Sequence, residues 1–212
     1  MGDLRKRTCI YYFRDFVKLW LLTGGLMLLL LAEHFVIYAG NPLMLKNAIR
    51  TCTSVCGLFI FLFNCIYALY GPAWNDSVVL SMGARRSDIF IGTTMREFVY
   101  PLSGLGVLYI ICKLTGLENL FGLETLLISA AIGLSGLARI IGYKVNKYGK
   151  IVTMVAAVIA GCCGSSLAAW GGKSNWLDLG RTFFVGAFIG SLIIFVLLRF
   201  IIYRLISKTA VR

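Results

Sequence analysis

Charge is scarce in this 212-residue chain: 14% of its residues are charged, against roughly 25% in ordinary soluble domains. With 59% of residues hydrophobic and a mean hydropathy of +0.85, that scarcity excludes an ordinary soluble enzyme and points to a membrane protein. Imidazole is nearly absent. His34 is the only histidine, so no zinc site is expected. The seven cysteines form no disulfide framework. Cys52, Cys56, Cys65, Cys112, Cys162 and Cys163 lie within or at the ends of apolar runs, where they read as small apolar side chains, and Cys9 lies in a basic leader. A phosphate-binding loop is missing too. The fragment GGKS at Gly171–Ser174 would need a glycine where Leu167 stands. Leu134–Gly136 (LSG) falls inside an apolar run and is no ATPase signature. No cofactor is therefore expected on this chain. A short signal-peptide core is not found either, because the first apolar run is about 20 residues long after a basic leader, which suits a retained span.

What is present is a series of apolar runs. Six are long enough to cross a bilayer at roughly 20 residues each: Leu19–Tyr38, Cys52–Gly71, Phe98–Cys112, Thr125–Ile141, Ile151–Trp170 and Thr182–Ile202. The fold expected is an all-α integral membrane protein, with residues 1–212 as a single transmembrane domain. The third run is shortest and carries Pro101, Gly104 and Gly106, which leaves room for a kink or a broken helix.

The formal net charge of +12 raises the question of where the basic residues fall. With the N-terminus assigned inside, the leader holds Arg5, Lys6, Arg7, Arg14 and Lys18, and the second-to-third loop holds Arg85, Arg86 and Arg96. The fourth-to-fifth region adds Arg139, Lys144, Lys147 and Lys150, and the C-terminal end Arg199, Arg204, Lys208 and Arg212. That places sixteen basic residues inside, against five outside (Lys46, Arg50, Lys113, Lys173 and Arg181). The asymmetry predicts a plasma-membrane protein with both termini cytoplasmic and argues for a lipid rather than a nucleic-acid partner.

The leader, residues 1–18, runs into CIYYFRDFVKLW at Cys9–Trp20. Aromatic and basic residues together suit an amphipathic interfacial helix; a cytoplasmic extension of the first span is the alternative. Small residues mark helix contacts in lipid. Ala156, Ala160, Gly164 and Ala168 recur every four residues in the fifth run, beside a second row of Ala157, Gly161, Ser165 and Ala169. Ser129, Gly133 and Gly136 in the fourth run and Gly186 and Gly190 in the sixth continue the theme. Such rows serve packing within the chain or across a dimer.

Between the second and third runs, residues 72–97 form a cytoplasmic loop containing LSMGARRSDIFIGTTMREF at Leu80–Phe98. Ser87 and Asp88 are helix starters, and Gly83 and Gly92 are breakers on either side. A short helix is expected there, with Arg85 and Arg86 at its entry and Ile89, Phe90 and Ile91 on it. It either lies on the membrane surface or docks in a partner's groove. The run LSMGARRSDIFIGTTMREFVYPLSGLG, with its Ser-x-Gly-x-x-Arg pattern followed by Phe90 and Gly92, resembles the cytoplasmic loop of ABC transporter permease subunits. The whole chain resembles the bacterial type-2 (six-span) permease family in its basic amphipathic leader, its six spans and this loop. A similar GA-x-R turn occurs in permeases with a large extracellular domain, from which this chain departs by its short external loops.

The resemblance implies a coupling helix formed by Gly83, Ala84, Arg85, Arg86, Ser87, Asp88, Ile89 and Phe90. It implies docking on a separate ATP-binding subunit that carries the nucleotide, a second permease subunit, and a role in export without enzymatic activity of the chain's own. Membrane enzymes or processing factors, and membrane scaffolds, are the other classes weighed. The first usually cluster acids or histidines in the membrane, and Glu33 with His34 is the obvious pair here. Glu33 and His34 line a substrate path or sit in the interface. Asn64, the deepest polar residue, either lines that path or hydrogen-bonds another helix. Arg139 is weighed in the same way, and Arg199 is expected to snorkel toward the interface.

Overall fold

A computed structural model describes residues 2–38, 42–117, 120–144 and 181–208. Six helices make up the described residues: α1 (Gly2–Tyr38), α2 (Pro42–Tyr70), α3 (Asn75–Ser81), α4 (Arg86–Thr115), α5 (Phe121–Lys144) and α6 (Arg181–Lys208). All but α3 are long and apolar enough to cross a membrane. They match five of the expected spans. The remaining one, Ile151–Trp170, lies outside the described residues, together with the small-residue row Ala156, Ala160, Gly164 and Ala168.

Each long helix turns one stripe inward. On α1 the buried residues Thr8, Tyr12, Asp15, Leu19 and Thr23 follow one another at three- and four-residue steps, the spacing that lines one helix face. The corresponding rows are Ile128, Ile132, Ser135 and Arg139 on α5 and Ser191, Phe195, Arg199, Ile202 and Ile206 on α6. The other faces of α1 and α6 carry exposed Leu, Ile, Val and Phe, as lipid-facing helices do.

The leader and first span are one unbroken helix of 37 residues, about 55 Å long. No turn separates the leader from the span. α1 and α4 run parallel: the Tyr12 ring lies against Gly92, Phe16 packs edge-on to Tyr100, and the Trp20 indole donates to Ser103 Oγ at 3.0 Å. α2 and α5 run parallel to each other and antiparallel to α4. The pair closes so tightly that a Cβ on Gly142 would collide with the Leu69 carbonyl. α6 lies beside α5 in the same direction, with Gly133 facing Ser191 and Gly136 facing Leu198. A Cβ on Gly136 would come within 2.8 Å of the Leu198 side chain. Gly186 and Gly190 meet no neighbour among the described residues; the close approach between α5 and α6 is made by the glycines of α5. Gly2 and Lys208 consequently fall at the same end of the bundle.

α4 is continuous through Pro101, where the sequence allowed a break. Proline has no N–H to give to the carbonyl four residues back, which belongs to Glu97. Asn64 of α2 supplies the missing donor: its Nδ2 lies 3.2 Å from the Glu97 carbonyl and 3.0 Å from that of Ala131 on α5. A neighbouring helix thus completes the backbone that proline opens. Gly116, at φ +64°, ends α4 in the left-handed conformation.

Candidate functional site

The short helix between the second and third spans exists, but displaced. It is α3, Asn75–Ser81, and it ends at Gly83, whose φ of +84° makes the turn into α4. Arg85 is the N-cap of α4, in extended conformation. Ser87 and Asp88 sit in the first turn of α4 and not at its cap, and no side chain caps that end. Gly92 breaks nothing. It lies within α4, where its bare backbone receives the Tyr12 ring of α1; a Cβ there would overlap the ring. The second part of the loop expected at 72–97, from Arg86 onward, is thus the opening turns of a long helix.

The expected docking residues divide accordingly. Arg85 and Ser87 are exposed, as is Gly83. Asp88 is buried, and Ile89 packs with Tyr12 and Val79. Phe90 stacks edge-on against Tyr203 of α6 at 5.3 Å, while Arg86 donates to the Ser207 carbonyl at 2.6 Å. Phe90 and Arg86 therefore join α4 to α6 within the chain. The exposed apolar side chains of this region are Trp74, Val78 and Met82. They sit four residues apart and fall on one face of α3 and its flanks. Trp74 is 62% and Met82 65% exposed.

Beneath α3 lies a buried cluster of three arginines and three acids. Glu97 on α4 and Arg139 on α5 are both 0% exposed. Glu97 Oε1 accepts from Arg139 Nη1 and Oε2 from Arg199 Nη2 of α6, each at 2.5 Å. Arg139 Nη2 donates at 2.5 Å to Asp76 Oδ2 on α3. Asp76 also accepts from the hydroxyls of Tyr12 at 2.9 Å and Tyr143 at 2.7 Å.

Arg96 pairs with Asp15 of α1 at 3.8 Å, donates to the Tyr67 carbonyl at 3.2 Å, and lies over the rings of Tyr12 and Tyr67. Asn75 of α3 donates to Asp15 at 3.1 Å. Arg199 rests on the Phe195 ring at 4.4 Å, so it turns into the bundle, where snorkelling was expected. The six charges sum to zero, which is what makes their burial tolerable. Glu97 stands about 16 Å along the axis from the start of α4. Through this cluster α3 is tied to α1 and α5, and α4 to α5 and α6.

The other predicted site residues are not brought together. Glu33 is exposed on α1, and His34 is half-buried, its Nδ1 lying 2.9 Å from the Leu30 carbonyl. Asn64 serves the α2–α4–α5 contact described above. A residue that sequence reasoning passed over is Glu124, in the first turn of α5 and 0% exposed. Its carboxyl fills the notch left by Gly57 on α2 and has no hydrogen-bond partner among the described residues.

The fold and this cluster define a multi-pass, all-helical membrane protein. Comparison with protein-family models, with curated proteins and with solved structures finds no match to the chain.

Proposed function

We propose that the chain is the membrane-spanning permease subunit of an ABC-type exporter, paired with a second permease subunit and driven by a separate ATP-binding subunit. One observation carries the reading. A short helix at one end of the bundle exposes an apolar face, while its opposite face is locked to the spans through Asp76. An element that couples a partner's movement to the spans needs both properties: a surface to be grasped and a stiff linkage inward. The docking surface in this reading is Trp74, Val78 and Met82, with Arg85 at its edge; Phe90 is part of the linkage. Arg85 is suited to pair with an acidic rim around an apolar groove. The charge asymmetry supports placing this end, with both termini, in the cytoplasm.

The test is ATP hydrolysis by the purified complex. Trp74→Ala with Met82→Ala removes two largely exposed apolar side chains, Trp74 leaning on the neighbouring Tyr70 ring, so the chain should insert and melt close to the wild type. The ATP-binding subunit should be lost from it on purification, and substrate-stimulated hydrolysis with it. Normal retention and turnover would remove α3 from the docking role.

A further inference from the structure

A groove of about 460 Å³ runs between α1 and α4 at the cluster end, within the roughly 300–1,000 Å³ of ligand sites. Its walls are Lys6, Ile10, Phe13 and Phe16 of α1 and Met95 and Val99 of α4. Gly92 and Tyr12 form its floor. The surface they present is almost wholly apolar, with the buried Arg96 of α4 also lining it and the exposed Lys6 at the end nearest the start of α1. The groove opens sideways: Phe13 is 63% exposed, and Ile10, Met95 and Val99 are exposed beside it. It therefore faces whatever surrounds the spans.

We propose that this groove holds one acyl chain of an anionic phospholipid, with the headgroup at Lys6. Two features fix the occupant. The first is size and polarity: an apolar groove of about 460 Å³ between two parallel membrane helices admits an alkyl chain, whereas ten residues of a partner helix about 10 Å across fill roughly 1,200 Å³. The second is charge. At the Lys6 end the leader carries Arg5, Lys6 and Arg7 against Asp3; Arg14 and Lys18 follow further along, where Asp15 is neutralised by Arg96. The headgroup end is thus strongly positive. A tail gains little by leaving other tails, so selectivity resides in the headgroup and amounts to about fivefold per basic residue engaged. The inference rests on the membrane-spanning fold and stands apart from the transport reading.

The experiment places a benzophenone amino acid at Phe13 of the full chain in vesicles of equal phosphatidylglycerol and phosphatidylcholine. Lipid adducts are then identified by mass spectrometry after irradiation. The expected result is a severalfold excess of phosphatidylglycerol adducts. Lys6→Ala should bring the ratio back about fivefold toward the vesicle composition, and so should high salt, which screens the headgroup without altering the sequence. Met95→Trp, which fills the groove, should suppress the adducts. Adducts in the vesicle ratio, adducts only to a second copy of the chain, or an excess indifferent to both Lys6→Ala and salt would each overturn the assignment.

Discussion

Replacing Glu97 by glutamine probes the cluster at its centre with almost no change of shape. Two hydrogen bonds of 2.5 Å from guanidinium groups end on the two oxygens of Glu97, and such charge-assisted bonds are worth about 1.5–3 kcal/mol each. Glutamine keeps one acceptor oxygen but turns an NH2 group toward the second guanidinium, donor against donor. It also removes the charge that balances Arg199. Arg139 keeps Asp76 as a partner. Breaking a buried pair from one side costs about 3–5 kcal/mol, because the remaining charge is stranded.

For a chain of this size each kcal/mol shifts the melting temperature by about 2–4 °C, so Glu97→Gln should melt on the order of 10 °C lower. A thiol-reactive dye reads this directly, since Cys52, Cys56 and Cys112 are buried until the bundle opens. Replacing both partners, Glu97→Met with Arg199→Met, should cost less than the sum of the single changes, because neither charge is then left alone. A Glu97→Gln protein that melts with the wild type would refute the reasoning: the arginines would then be held by something other than this carboxylate.

Asn64→Val should cost about 1–3 kcal/mol by orphaning the Glu97 carbonyl. The loss should shrink in a Pro101→Ala background, where the helix supplies its own donor; equal losses in both would show that Asn64 acts elsewhere. Glu124→Leu should raise the melting temperature, because a buried carboxyl without a partner is a cost that leucine removes; a fall would reveal a partner for Glu124. Gly136→Leu should lower stability by forcing α5 away from Leu198, whereas Gly190→Ala, at a position with no neighbour among the described residues, should leave the melting curve in place.

Five of the spans were legible in the sequence because their signal is length and apolarity, which each segment carries alone. Helix α4 shows where that signal stops. The cap and first turns of α4 hold Arg85, Arg86, Asp88, Arg96 and Glu97, so they read as a polar loop. Yet Arg96 and Glu97 are buried by partners 29 to 102 residues away in sequence, which no local pattern discloses. A clue was available: Arg139 and Arg199 lie within apolar spans, and arginines so placed need acids. Glu97, at the edge of the third span, and Asp76 could have been matched to them. Gly92 misled for a related reason. A glycine is a breaker when nothing packs on it, but here the Tyr12 ring occupies the space of the missing Cβ. Asn64 was readable as an interhelical donor; that its acceptor is the carbonyl freed by Pro101 required the two helices to be seen side by side.

The central claim is that the Trp74–Val78–Met82 face meets an ATP-binding partner. The most direct measurement is a photoreactive amino acid at Met82, irradiated in intact cells and followed by identification of what is joined to the chain. The account predicts a covalent adduct with a protein carrying a G-x-x-x-x-G-K-[ST] phosphate-binding loop, lost when Trp74 is also replaced by alanine. Adducts with phospholipid alone would contradict it, since α3 would then be a helix lying on the membrane surface.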